Sequence, residues 1–292
     1  MANEPTEHLV VTVHGIRTFG EWQARLEGLL KARDRSIHVS HIDYGWFSVV
    51  AYVLAPFRWL ARRRVQRLLV EQLNDRRWAR VDIVAHSFGT YLVANALSRL
   101  ARREGVKSSV HTLVLAGSVL SPWFRWQRIT GPRFVQRVVN ECGMRDAVLA
   151  FGQVIPFSGI AGRIGFRGVH STEFRNRYFP VGHSGYFLTS GRSNSFMEQY
   201  WIPLLTTDCA VEPGSTPGRT LKGWETLVLR SLDPVKLALW LFLLGLPMYI
   251  GGVAVERVVA AAESRRLAAQ ANEALLQTQM ALSVRLATGA VQ

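Results

Sequence analysis

The feature that most restricts the fold of this chain is a pentapeptide, Ala85-His86-Ser87-Phe88-Gly89, set between two runs of different periodicity. Before it, Val81-Asp82-Ile83-Val84 reads as a short buried strand. After it, Leu92, Val93, Ala96, Leu97 and Leu100 form an apolar stripe at helical spacing. A strand that turns at once into a helix through small-x-Ser-x-Gly makes a strained corner, and small residues are needed where strand and helix nearly touch. Ala85 and Gly89 are those residues. The competing reading of Ser87 is an ordinary helix N-cap.

The same alternation runs through the first two thirds of the chain. Strands are expected at His8–His14, Ile37–Ile42, Arg80–Ala85, Val110–Ala116 and Phe134–Val139. Helices are expected at Glu21–Arg33, from Ala61 towards Trp78, and at Ser87–Arg103. Gly159–Gly168 reads as an ordered loop. Short apolar strands alternating with amphipathic helices predict an α/β domain with a doubly wound, mostly parallel sheet. Two aromatic stretches stand out. Trp46–Leu60 reads either as a core helix leading into a surface helix or as an apolar lid or interfacial element near the active site, and Trp123–Ile129 is placed near a pocket mouth.

From Pro203 to Thr226 the pattern dissolves into Pro, Gly, Ser and Thr, which marks a domain end. Four segments follow from this: an α/β domain over 1–205, a linker over 206–235, a transmembrane helix over 236–255 and a helical tail over 256–292. Leu237–Val255 carries no charge and matches the ~20 residues that a bilayer span needs. The N-terminus lacks the pattern of a signal peptide, so the α/β domain is expected on the cytoplasmic side of a single-pass protein. The tail is a candidate surface for a protein partner.

The net charge of +14 invites a nucleic-acid reading. However, the arginines are scattered, at Arg62-Arg63-Arg64, Arg76-Arg77, Arg102-Arg103 and Arg265-Arg266, and no DNA- or RNA-binding motif accompanies them. A basic face towards anionic lipid fits better than nucleic acid. The two cysteines, Cys142 and Cys209, are too few and too far apart for a zinc site, so neither a metal nor a cofactor is expected.

A serine hydroxyl needs an imidazole to take its proton, a carboxylate to orient the imidazole, and backbone N–H donors for the developing oxyanion. Phe88, directly after the serine, supplies one donor. The turn His14-Gly15-Ile16-Arg17, directly after the first strand, supplies another through the N–H of Ile16. Asp146, beyond the strand at Phe134–Val139, is the preferred acid, with Glu141 and Glu173 as alternatives; Asp146 could instead be only a helix N-cap. His183, in the loop Val181-Gly182-His183-Ser184-Gly185, is the preferred base over His170, and His86 reads as structural.

Together these residues resemble the α/β-hydrolase superfamily over roughly residues 7–205. The closer resemblance is to bacterial, membrane-anchored serine-hydrolase-like domains of esterase or lipase type. It rests on His14-Gly15-Ile16-Arg17, Ala85-His86-Ser87-Phe88-Gly89-Thr90, the stretch Asn140–Asp146, and His183-Ser184 with Tyr186-Phe187. Ala85 departs from the glycine common at that position, and is also small. The resemblance implies an α/β-hydrolase fold followed by a C-terminal transmembrane helix and helical tail. It also implies a Ser87–Asp146–His183 triad with Ile16 and Phe88 as oxyanion donors. The expected reaction is cleavage of a small-molecule or lipid ester through an acyl-enzyme. The alternative is a membrane-tethered signalling or scaffold module with a hydrolase fold and little activity.

Overall fold

A computed structural model describes residues 7–15, 21–45, 52, 55–75, 77–102, 108–131, 134–152, 155, 158–169, 173–188, 195–207, 209–218 and 222–289. The chain forms two compact units, Met1–Arg230 and Ser231–Gln292.

The first unit is built on six strands: β1 (Glu7–Val13), β2 (Ile37–Ile42), β3 (Trp78–His86), β4 (Val110–Ala116), β5 (Val135–Gly143) and β6 (Phe174–Phe179). They lie in the order β2-β1-β3-β4-β5-β6, and every neighbouring pair is parallel. Parallel strands need crossovers. The helices of these crossovers are α1 (Glu21–Arg33) between β1 and β2, α2 (Ala55–Asn74) between β2 and β3, and α3 (Phe88–Leu100) between β3 and β4. Shorter helices follow: α4 (Ala147–Gly152), α5 (Ala161–Ile164) and α6 (Ile202–Thr206).

Period-2 alternation sorts the central strands onto two faces. Leu9, Val11, Val13, Ile83, Ala85, Leu113 and Leu115 face α2 and α3, and pack on Val65, Leu69, Leu73 and Leu92. Val10, Val84 and Val114 face the other way, onto Trp22, Leu26 and Leu30 of α1 and onto Met197, Trp201 and Leu205. Both faces are covered, which is why these strands read as unbroken apolar runs.

Strand order also locates a crevice. The chain steps outward from β1 to β2, returns across β1 to β3, and then winds the other way to β6. Beyond the carboxyl ends of β1 and β3, the connections leave on opposite sides. Open α/β sheets bind ligands at such a switch point.

Several boundaries differ from the sequence reading. β5 runs on to Gly143, past the expected end at Val139, because Asn140, Glu141 and Cys142 are buried through polar pairing. Gly159–Gly168 is not all loop: it contains α5, with Gly162 packed against the Gly117–Ser118 backbone. Residues 46–51, 53 and 54 of the aromatic stretch Trp46–Leu60 lie outside the described residues; Tyr52 is buried and Ala55–Leu60 opens α2. Leu205, where the domain end is expected, lies in the core, and beyond it the Thr216 N–H donates to the Tyr178 carbonyl of β6 at 3.1 Å.

One long helix, α7 (Gly223–Gly289), ends the described chain. Between Pro234 and Val284 it is long and apolar enough to cross a membrane, with a peak mean hydropathy of 2.0. The uncharged stretch Leu237–Val255 lies inside it.

Leu69 is fully buried between α2 and the sheet. Leu69→Ala is expected to destabilise the first unit by about 2–5 kcal/mol, the usual cost of such a cavity. Denaturant unfolding of the full chain in detergent measures this, and a change below about 1 kcal/mol would contradict the packing described.

Candidate active site

Ser87 follows β3 directly and has φ 54° and ψ −123°; it is the only non-glycine residue with positive φ among the described residues. Non-glycine L-residues rarely adopt this conformation, and it costs about 1–3 kcal/mol unless its surroundings enforce it. Here they do. The Ser87 N–H donates to the Ala116 carbonyl of β4 at 2.9 Å. The Ser87 carbonyl accepts both the Thr90 N–H at 3.0 Å and the Thr90 hydroxyl at 2.6 Å. A side chain at Gly89 would come within 2.6 Å of the Val13 and His14 carbonyl oxygens, so only glycine lets α3 start this close to β1.

The serine side chain meets a histidine from the far end of the sheet. His183 Nε2 lies 2.9 Å from Ser87 Oγ, and its Nδ1 lies 2.7 Å from Asp146 Oδ2. Asp146 follows β5 and is fully buried, while His183 follows β6 and keeps a slightly exposed ring. Since Asp146 accepts the Nδ1 proton, Nε2 presents its lone pair to the serine O–H. The two readings of Asp146 turn out to be compatible. Its Oδ1 accepts the Leu149 N–H at 3.0 Å and caps α4, while Oδ2 holds the imidazole.

The remaining sequence candidates have other positions. Phe88 is the first residue of α3, at the positive end of the helix dipole. Ile16 and His170 lie outside the described residues, as does Arg17. Glu141 is turned from the site and forms a buried pair with Arg177, also accepting the Trp201 indole N–H at 3.2 Å. Burial holds its carboxyl above the ordinary range despite Arg177. Glu173 precedes β6, and its carbonyl accepts the Val138 N–H at 2.7 Å.

One supporting residue, Tyr44, is not marked out in the sequence. Tyr44, just after β2, donates to the Gly15 carbonyl at 2.9 Å, stacks on the His14 ring at 4.6 Å and meets Phe88 edge-on. It therefore fixes the turn whose Gly15 lies against Ser87; a Cβ on Gly15 would come within 2.7 Å of the Ser87 Cβ. His86, read as structural, is fully buried and 4.8 Å from the His183 ring, and its Nε2–H donates to the His183 carbonyl at 3.0 Å. It clamps the backbone that carries the His183 ring. Burial, reinforced by His183, pushes the His86 imidazolium down to about 3. Tyr186 helps from below by donating to the Glu141 carbonyl at 3.0 Å.

Part of the chain matches a family model, and distant likenesses to solved structures exist. The family model for "Alpha/beta hydrolase of unknown function (DUF900)" matches residues 58–122, which span α2, the Ser87 corner and β4. No curated protein matches the chain. Among solved structures, a predicted CIB-like hydrolase from Thermoplasma acidophilum is 14% identical, with a TM-score of 0.38 over 64% of this chain and 81% of that one. Est1E from Butyrivibrio proteoclasticus is 10% identical, with a TM-score of 0.37 over 62% and 81%. The RedJ thioesterase of the prodiginine biosynthetic pathway in Streptomyces coelicolor is 13% identical, with a TM-score of 0.36 over 63% and 81%. The parallel sheet order and the Ser87 corner are those of an α/β-hydrolase fold.

The neutral, buried His86 makes stability depend on pH. Its folded-state value of about 3 lies below the ordinary 6.5, so the unfolded chain binds the extra proton. This contribution is complete above pH ~6.5 and is lost as pH falls towards ~3, by at most about 1.4 kcal/mol per pH unit. His86→Gln keeps a donor for the His183 carbonyl and removes the titration. Unfolding free energies of the wild type and variant, measured from pH 7 to pH 4, should therefore converge as pH falls; parallel curves would contradict the assignment.

Proposed function

We propose that this α/β-hydrolase-fold chain is a serine hydrolase that cleaves an ester, with lipid esters as the preferred class, while held at a membrane by its apolar helix. The observation that carries this reading is the unbroken relay from Ser87 Oγ through His183 to Asp146, ending at a serine held in a strained corner.

The geometry suits a two-step acyl transfer. Ser87 Oγ attacks the carbonyl carbon as His183 Nε2 takes its proton, and Asp146 stabilises the imidazolium that forms. The tetrahedral oxyanion is received by the N–H of Phe88 and by that of Ile16, the residue after Gly15. His183 then gives the proton to the departing alcohol. Water enters, loses a proton to His183 and releases the acid from Ser87. The residues that hold the apparatus still are His86 on the His183 backbone and Tyr44 on the Gly15 turn. Lipid esters are favoured because the chain combines this site with an apolar helix that can cross a membrane and with exposed aromatic residues at the start of α2. The proposed orientation keeps the first unit on the cytoplasmic side.

A second reading has its own support. Beyond Val255, α7 leaves Leu267, Leu275, Leu276, Met280 and Leu282 exposed, which suits a membrane-tethered scaffold that binds a partner helix.

Labelling of the full-length protein by a fluorophosphonate probe separates the two. The wild type should label and Ser87→Ala should not. Turnover of short- and long-chain p-nitrophenyl esters should fall by about 10⁴–10⁶-fold in Ser87→Ala or His183→Ala. An unlabelled but folded wild type would leave the scaffold reading, and unchanged turnover in Ser87→Ala would overturn the hydrolase reading.

A second prediction concerns Gly15. A methyl there meets the Ser87 Cβ, which belongs to a corner that cannot yield. Gly15→Ala should lower the probe-labelling rate at least about 10²-fold, as expected when a reacting atom is misplaced by about an ångström. Wild-type labelling with a retained melting temperature would contradict this.

A further inference from the structure

The crossover from β2 to β3 obliges α2 to start at the carboxyl edge of the sheet, the edge that carries Ser87. Contacts agree: Tyr52, just before α2, packs on Phe88 with ring centroids 4.9 Å apart. The inward stripe of α2 is Arg58, Ala61, Val65, Leu69 and Leu73, all buried. Its outward face changes character along its length. The first two turns expose Phe57 at 49%, Trp59 at 43% and Leu60 at 60%. The next two expose Arg63, Arg64 and Arg67, and the Arg63 guanidinium lies 3.8 Å from the centre of the Trp59 ring. The acid that shares this face, Glu71, comes a turn beyond Arg67, at the end away from the site.

An exposed Phe-Trp-Leu tip costs free energy in water and has no covering among the described residues. Backed by a collar of arginines, it matches the two layers of a bilayer surface. Aromatic and aliphatic side chains favour the boundary between headgroups and acyl chains, and arginines favour anionic headgroups just outside it. A protein partner would have to supply both an apolar socket and an acidic rim, whereas an anionic lipid leaflet supplies both everywhere.

We propose that the N-terminal half of α2 is a membrane-docking tip, which inserts Phe57, Trp59 and Leu60 into an anionic lipid surface with Arg63, Arg64 and Arg67 at its headgroups. Docked in this way, the carboxyl edge of the sheet faces the bilayer, and a substrate reaches Ser87 from the lipid phase. The proposal rests on the reading of the chain as a lipid-directed hydrolase. Its test is independent of catalysis.

Full-length protein carrying Cys209→Ser and Leu60→Cys is labelled with a nitrobenzoxadiazole dye at residue 60; Cys142 is buried. The protein is reconstituted in vesicles of phosphatidylcholine, with or without phosphatidylglycerol. A matched protein carries the dye at Glu71→Cys. In phosphatidylglycerol vesicles, the dye at residue 60 should shift its emission to the blue and be quenched by shallow spin-labelled lipid. The dye at residue 71 should do neither. Arg63→Gln with Arg64→Gln, or high salt, should remove at least about half of the quenching. A dye at residue 60 that stays aqueous in both vesicle types overturns the proposal. So does equal quenching without phosphatidylglycerol. Probe labelling of Ser87 on the same samples reports separately on the hydrolase reading.

Discussion

Most of what is specific to this fold follows from the left-handed backbone of Ser87. The corner can exist only if β1, β3 and β4 are already side by side. The Ala116 carbonyl of β4 holds the serine N–H, and the ends of β1 leave no room for a side chain at Gly89. In return, the corner lifts one hydroxyl clear of the sheet while the chain around it stays buried. Ser87 is only 8% exposed, so its oxygen is presented to a narrow approach. Strain of about 1–3 kcal/mol is small against the burial of three central strands, which is why the fold can hold it without a special device.

Around that corner, positions are fixed by groups that serve two purposes at once. Asp146 ends a loop by capping α4 with one oxygen and orients an imidazole with the other. His86 belongs to the tight turn, yet its ring reaches out to hold the main chain of His183. The pair Glu141–Arg177 lies beneath. It ties β5 to β6 in the region where both strands deliver site residues, with Trp201 as a further donor. Replacing one half of such a buried pair leaves the other unpaired, so these positions are rigid for reasons unrelated to chemistry.

Much of this arrangement could be read from the sequence, and the exceptions have physical causes. The central strands were legible because both faces are covered, which turns them into apolar runs. The corner was legible because close approach of strand and helix restricts two positions to small residues. β6 was not. Phe174-Arg175-Asn176-Arg177-Tyr178-Phe179 carries two arginines, and one of them is buried only because Glu141 waits on the next strand. Composition shows the charge and not its distant partner. Tyr44 was missed for the same reason: a single tyrosine after a strand carries no pattern, and its role exists only once the Gly15 turn is beside it. His183 and Asp146 could be nominated from chain order and loop chemistry. The sheet sends Glu141 to Arg177 and leaves Asp146 beside His183.

The edge position of β6 has a consequence for the lifetime of the assembled site. His183 is 96 residues from Ser87 and reaches it from a strand that has a single sheet neighbour. An outermost strand can detach in a partial opening while the centre stays folded, so the relay can be broken at a free-energy cost well below that of global unfolding. What opposes this is the segment around Thr216, which pairs with Tyr178 on the outer side of β6 through one antiparallel bridge. That segment holds none of Ser87, Asp146 and His183. By guarding the sheet margin, it limits how often the amides of β6 are released to exchange with solvent, and with them how often the contact between His183 and Ser87 is broken.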